Sequence, residues 1–230
     1  MDTNQSPEKE ALLRQLFGED EDLREQALLS VAPEHRDSVR KVIDVRRDAE
    51  KVFHAMVADL GFASSHLRKD YNNQFWRRTA IRALASTVDG IIFTLKKLAI
   101  SSSEMLGANL DSECTDFLRE QQSASTGKRV RLPPFRDNFK RTFKVFAEVH
   151  GTTNPTDFSQ PGFDDVCAMF ELRHRVMHPK SFGTFSVQDN ETERAGRALN
   201  WLSCELERLL STSKEGVGKV SFTDGTRKNT

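Results

Sequence analysis

The sequence predicts an all-α fold, an antiparallel helical bundle, and three observations carry that prediction. Apolar residues recur at three- and four-residue steps through long stretches of the chain. No segment shows the apolar and polar alternation of a half-buried strand. The periodic stretches also close on helix-stopping residues, at Gly18, Gly61, Gly151 and ahead of Pro179.

Each element follows from local chemistry. Ser6 caps and Pro7 opens a short helix through Phe17, and a second short helix covers Glu21 to Ser30. From Pro33 to about Leu60, Val39, Val42, Ala49, Val52, Phe53, Met56 and Leu60 define one long amphipathic helix that Gly61 is expected to end. A polar connection, Ser64 to Asn73, leads to the strongest helix, Phe75 to Ile100, whose broad apolar face of Ile81, Leu84, Ala85, Val88, Ile91, Ile92, Leu95 and Leu98 must be core. A weaker helix spans Glu104 to Gln121 with an interruption near Gly107, and Ser123 to Pro134 reads as a loop rich in Ser, Gly and Pro. Three helices follow: Phe135 to His150, Phe163 to Met177, and Asn190 to about Thr212. Glu215 to Thr230 reads as a loose tail or at most a small hairpin. The domain reading is an N-terminal helical extension over 1–32, a bundle over 33–213 and a flexible tail over 214–230.

Composition narrows the function classes. With 230 residues, 37% of them hydrophobic, the chain can bury one substantial core. Its 34 basic side chains balance 34 acidic ones, which excludes a global field for nucleic acid or membrane, so any such surface must be local. The first residues to Glu25 are acidic, whereas Gly127 to Arg141 is basic with Phe135, Phe139 and Phe143 spaced through it. That spacing fits a solvated helix face with phenylalanines packed inward better than it fits a nucleic-acid contact. Cys114, Cys167 and Cys204 lie far apart and read as small buried hydrophobes in a reducing compartment, not as a disulfide frame. No apolar run approaches the roughly 18 residues of a membrane span, and the acidic start is no signal peptide. The expectation is a soluble cytoplasmic protein without membrane contact.

The chemistry is concentrated at one helix end, Leu172-Arg173-His174-Arg175-Val176-Met177-His178-Pro179. A guanidinium is a permanent cation with a fixed fork of donors suited to phosphate, and imidazole exchanges a proton near neutral pH. The pair suggests phosphate ester chemistry. A helix C-terminus also favours the imidazolium form through its exposed carbonyls.

On these residues the chain resembles the HEPN family, helical bundles with an Arg-x4-6-His signature near the end of the penultimate core helix. Arg173 and His178 supply the shortest spacing, His174 takes the polar position after the arginine, and Pro179 follows the histidine. Arg47 and His54 also satisfy the spacing, but they sit inside a helix that does not stop. The likeness runs in helix order from Pro33 to Ser213 and is sharp over Phe163 to Pro179.

The resemblance implies a HEPN-like bundle acting as a homodimer, and a metal-independent endoribonuclease in a defence or toxin–antitoxin setting, with no cofactor and no metal. It implies that Arg173, His174 and His178 are the catalytic residues and that an antitoxin or regulatory protein is a further partner. Arg175, Lys180, Arg77 and Arg78 are the expected RNA contacts. The competing class is a HEPN module that has lost cleavage and binds a partner protein or nucleotide. A third reading takes His174 and His178, four apart on one helix face, as two zinc ligands, although no third ligand is evident. Two further residues carry open alternatives. Asp89 either anchors an arginine such as Arg173 or sits exposed. Trp76, followed by Arg77 and Arg78, either stacks nucleotides or anchors a helix start in the core or an interface.

Overall fold

The computed structural model describes residues 21–106, 110–123, 133–152 and 155–217. Its elements are α1 (Glu21–Ser30), α2 (Pro33–Lys69), α3 (Gln74–Leu106), α4 (Ser112–Ser123), α5 (Phe135–Val149), α6 (Pro161–Met177), the single turn α7 (Phe182–Phe185) and α8 (Asp189–Val217). The described residues are all-helical, with no strand, and none of their helices is long and apolar enough to cross a membrane. The expected helix ending at Phe17, the interruption near Gly107, most of the loop after Ser123 and the hairpin in the tail lie outside the described residues.

Two helices run past their predicted ends. Gly61 does not stop α2, because Leu60, Ala63 and Leu67 extend the buried stripe for two more turns and this burial outweighs the glycine penalty of about 1 kcal/mol. The connection to α3 shrinks to the turn at Asp70–Asn73, where the Asn73 side chain accepts the Phe75 N–H at 2.9 Å and caps the new helix. At its far end α3 continues through Ser101 and Ser103, whose hydroxyls donate to the Lys97 and Ile100 carbonyls at 3.1 and 2.8 Å. Glu104 therefore closes α3 instead of opening the next helix. At the other end of the chain α8 begins at Asp189 and reaches Val217.

α2 and α3 form a long hairpin, and α3 is the axis against which α4, α5, α6 and α8 pack. Its Ile81, Leu84, Ala85, Val88, Ile92 and Leu95 are buried with Phe139 and Phe143 of α5, Val166 and Met169 of α6, and Ala198 and Leu202 of α8. The phenylalanines of the basic run point inward: Phe139 and Phe143 stack at 4.4 Å, and Phe135 stacks on Phe170 at 3.6 Å. Two of its cations meet acids, Arg136 with Asp164 at 2.5 Å and Arg141 with Glu113 at 2.9 Å.

α6 is fixed at its start by size and charge. Trp201 of α8 lies over Gly162 so closely that a Cβ there would run into the indole. Asp165, only 7% exposed, accepts from Arg194 at 2.6 Å and Arg197 at 2.9 Å. Burial would raise that carboxyl, but the two guanidiniums hold it below the usual carboxylate range. α1 stands apart from this core, packing Ala27 and Leu28 on Val39 and Ile43 of α2 with Met105 beside them. The cysteines are free thiols; Cys114 and Cys167 are half-buried, while Cys204 is exposed, because its position on α8 faces away from the core.

Candidate functional site

Helix α6 ends where its apolar stripe runs out. Leu172 and Val176 are buried, and His178 leaves helical geometry with φ −128° and ψ 62° while its N–H donates to the His174 carbonyl at 3.0 Å. Pro179 then cannot continue the helix. One turn apart, His174 and His178 are both exposed, with ring centroids 5.0 Å apart and planes at 52°. Arg173 is half-buried and makes no hydrogen bond or ion pair among the described residues.

The neighbouring surface belongs to α3. The buried stripe of that helix leaves Phe75, Arg82, Ser86, Asp89 and Phe93 exposed on its outer side. Arg82 donates to the Val176 carbonyl at 3.3 Å, satisfying one of the terminal carbonyls of α6 and locking the two helices in register. Asp89 takes the exposed alternative: it forms no hydrogen bond or ion pair with Arg173 among the described residues and feels that guanidinium only through its field. Desolvation by its surroundings raises the carboxyl, and the Arg173 charge opposes that rise.

The other expected RNA contacts divide by environment. Arg77 is 4% exposed, and its guanidinium donates to the Tyr71 carbonyl at 2.7 Å and the Val187 carbonyl at 2.9 Å, and meets Asp189 at 2.5 Å. Arg175 donates to the Thr184 and Ser186 carbonyls and to both oxygens of Glu191. Both of these cations are committed to holding the segment 178–188. The Gln74 amide grips the same segment, accepting the Val187 N–H at 2.8 Å and donating to its carbonyl at 2.9 Å. Arg78 lies 3.9 Å over the Phe185 ring, and burial together with nearby Arg82 depresses its pKa. Lys180 is exposed, with its backbone N–H on Thr184 Oγ1 at 3.1 Å in the capped turn of α7.

The structure thus gathers Arg173, His174 and His178 at one helix end, with Lys180 just beyond it, buries Arg77, and ties half-buried Arg175 to the segment that follows. It also brings in Arg82, which the sequence reading does not single out. The signal for Arg82 is its position four residues after Arg78, on the side of α3 left free by the apolar stripe. Among the described residues no group of three His, Cys, Asp or Glu side chains stands in metal-binding proximity.

Comparison with known protein families, with curated proteins and with solved structures finds no match to this chain.

Proposed function

We propose that the protein is an endoribonuclease of the HEPN type that cleaves RNA through its own 2′-hydroxyl. The observation that carries this reading is the selective exposure at the end of α6. His174 and His178 stand in solvent, and Arg173 has no hydrogen bond or ion pair among the described residues, while neighbouring Arg175 is tied into the fold. A phosphate-binding cation beside two proton carriers is the minimum set for transesterification.

In the proposed reaction the ribose 2′-oxygen attacks the adjacent phosphorus while the bond to the 5′-oxygen breaks. One imidazole takes the 2′-proton and a second, as imidazolium, protonates the departing 5′-oxygen, so the products are a 2′,3′-cyclic phosphate and a 5′-hydroxyl. Two copies of His178 in a homodimer divide these tasks, and Arg173 neutralises the charge growing on the nonbridging oxygens. The nucleophile comes from the substrate, so the step requires no metal. A defence or toxin role, with an antitoxin or regulatory partner, fits an enzyme of this kind.

The test is cleavage of a labelled RNA in EDTA by the wild type and by Arg173→Ala and His178→Ala. Each substitution should lower kcat/KM, by about 10²- to 10³-fold for the arginine and about 10²- to 10⁴-fold for the histidine, and a 2′-deoxy substrate should be inert. Cleavage that survives in both variants overturns the proposal. Intact folding and self-association without any cleavage assigns the protein instead to the interaction modules.

A further inference from the structure

The turn between α2 and α3 carries four aromatic rings in unbroken contact. Phe62 lies 4.3 Å from His66, His66 lies 4.3 Å from Trp76 with the planes inclined by only 31°, and Trp76 meets Phe75 edge-on at 4.9 Å. Two of the four rings are far from covered, Phe62 being 61% and Phe75 57% exposed. Core aromatics of this protein are not left in this way: Phe139 and Phe163 are wholly buried.

Two exposed cations of the last turn of α2, Arg68 and Lys69, border the rings, and neither forms an ion pair among the described residues. The adjoining acid, Asp70, is engaged by the Asn73 amide at 2.9 Å. Position links the cluster to the candidate site, because Phe75 and Arg82 share the exposed side of α3 about 10 Å apart along its axis.

We infer that Phe62, His66, Trp76 and Phe75 form a stacking platform for unpaired bases of single-stranded RNA, with Arg68 and Lys69 taking the phosphates. The inference rests on the ribonuclease reading for its choice of RNA, and it adds that the substrate arrives unpaired. A π-face is common to every base, so stacking of this kind tolerates sequence and excludes only the duplex, whose bases are already stacked. A free strand lying across Phe75 is led along α3 toward Arg82 and the end of α6.

Binding of a fluorescent oligodeoxythymidylate tests this apart from catalysis, because that probe lacks the attacking hydroxyl. The full chain should bind it with quenching of Trp76 fluorescence, and a duplex should fail to compete. Phe75→Ala and Phe62→Ala, both at exposed positions, should each weaken binding by about tenfold with unchanged thermal melts. Arg68→Ala with Lys69→Ala should reduce the salt slope of log K by about 1.4. Equal affinity in the ring variants, equal competition by duplex, or loss of self-association in place of loss of binding would overturn the platform. Oligonucleotide binding that depends on the rings, in a protein that never cuts RNA, leaves the platform standing while the ribonuclease reading falls. RNA cleavage with kcat/KM unchanged in the ring variants does the reverse.

Discussion

Replacing Arg175 by alanine separates a guanidinium that grips RNA from one that builds the protein. In the structure Nη1 donates to the Thr184 and Ser186 carbonyls, each at 3.0 Å, and Nη2 donates to both Glu191 oxygens, each at 2.7 Å. Hydrogen bonds to a charged group contribute about 1.5–3 kcal/mol each when buried. The side chains of Arg175 and Glu191 keep 31% and 30% of their surface, however, so water replaces part of each bond in the variant. Glu191 also retains the Gln188 N–H at 2.9 Å and is not stranded. The expected loss is therefore about 2–3 kcal/mol in all, near the value of a single strong bond rather than of four. For a chain of this size that lowers Tm by about 4–12 °C. Arg175→Lys should recover only part of it, because one ammonium cannot reproduce the guanidinium fork. The assay is a thermal melt paired with RNA binding over a salt series. A phosphate contact predicts the opposite pattern, an unchanged Tm and a salt slope smaller by about 0.7. That pattern would refute the structural role assigned to Arg175.

Three further perturbations address packing and titration. Gly162→Ala should destabilise by about 1–3 kcal/mol through overpacking against Trp201, read as a lower denaturant midpoint at unchanged slope; a neutral effect would show that the indole moves freely. Asp89 holds its proton more tightly in the folded state than its ordinary 3.8 allows, so its ionisation costs stability as pH climbs from 3.8 through the raised value. Asp89→Asn should gain stability relative to wild type across that window and hold the gain above it in melts against pH, and a relative loss there would contradict the placement. His150 is buried between the Phe146 carbonyl at 2.8 Å and the Ser102 hydroxyl at 3.0 Å, and desolvation depresses its pKa below 6.5. Its contribution is present above 6.5 and lost as pH falls, by at most about 1.4 kcal/mol per pH unit, and His150→Gln should flatten that slope in melts between neutral and acid pH.

The core of α3 was legible because periodicity is a property of the sequence: Ile81, Leu84, Ala85, Val88 and Ile92 can share one side only in a helix. Gly61 misled for a complementary reason. Glycine weakens a helix by a fixed local amount, while the burial of Ala63 and Leu67 that outweighs it exists only once α2 lies on α3. The same division holds at the candidate site. His174 and His178 are four apart on one helix, so their neighbourhood can be read directly, whereas Arg82 joins them only through a contact with Val176 from far along the chain. Nor does residue type distinguish Arg173 from Arg175. What separates them is Glu191 and the carbonyls of Thr184 and Ser186, which only the folded chain brings to one arginine and not the other.

The grip on Val187 carries a consequence for motion. Its amide and carbonyl are both held by Gln74, its carbonyl also by Arg77, and the flanking carbonyls of Thr184 and Ser186 by Arg175. These bonds act on neighbouring groups of one short stretch, so its opening is expected to be cooperative. The backbone a few residues past His178 is thereby tethered to two other helices, unlike that of an ordinary surface loop.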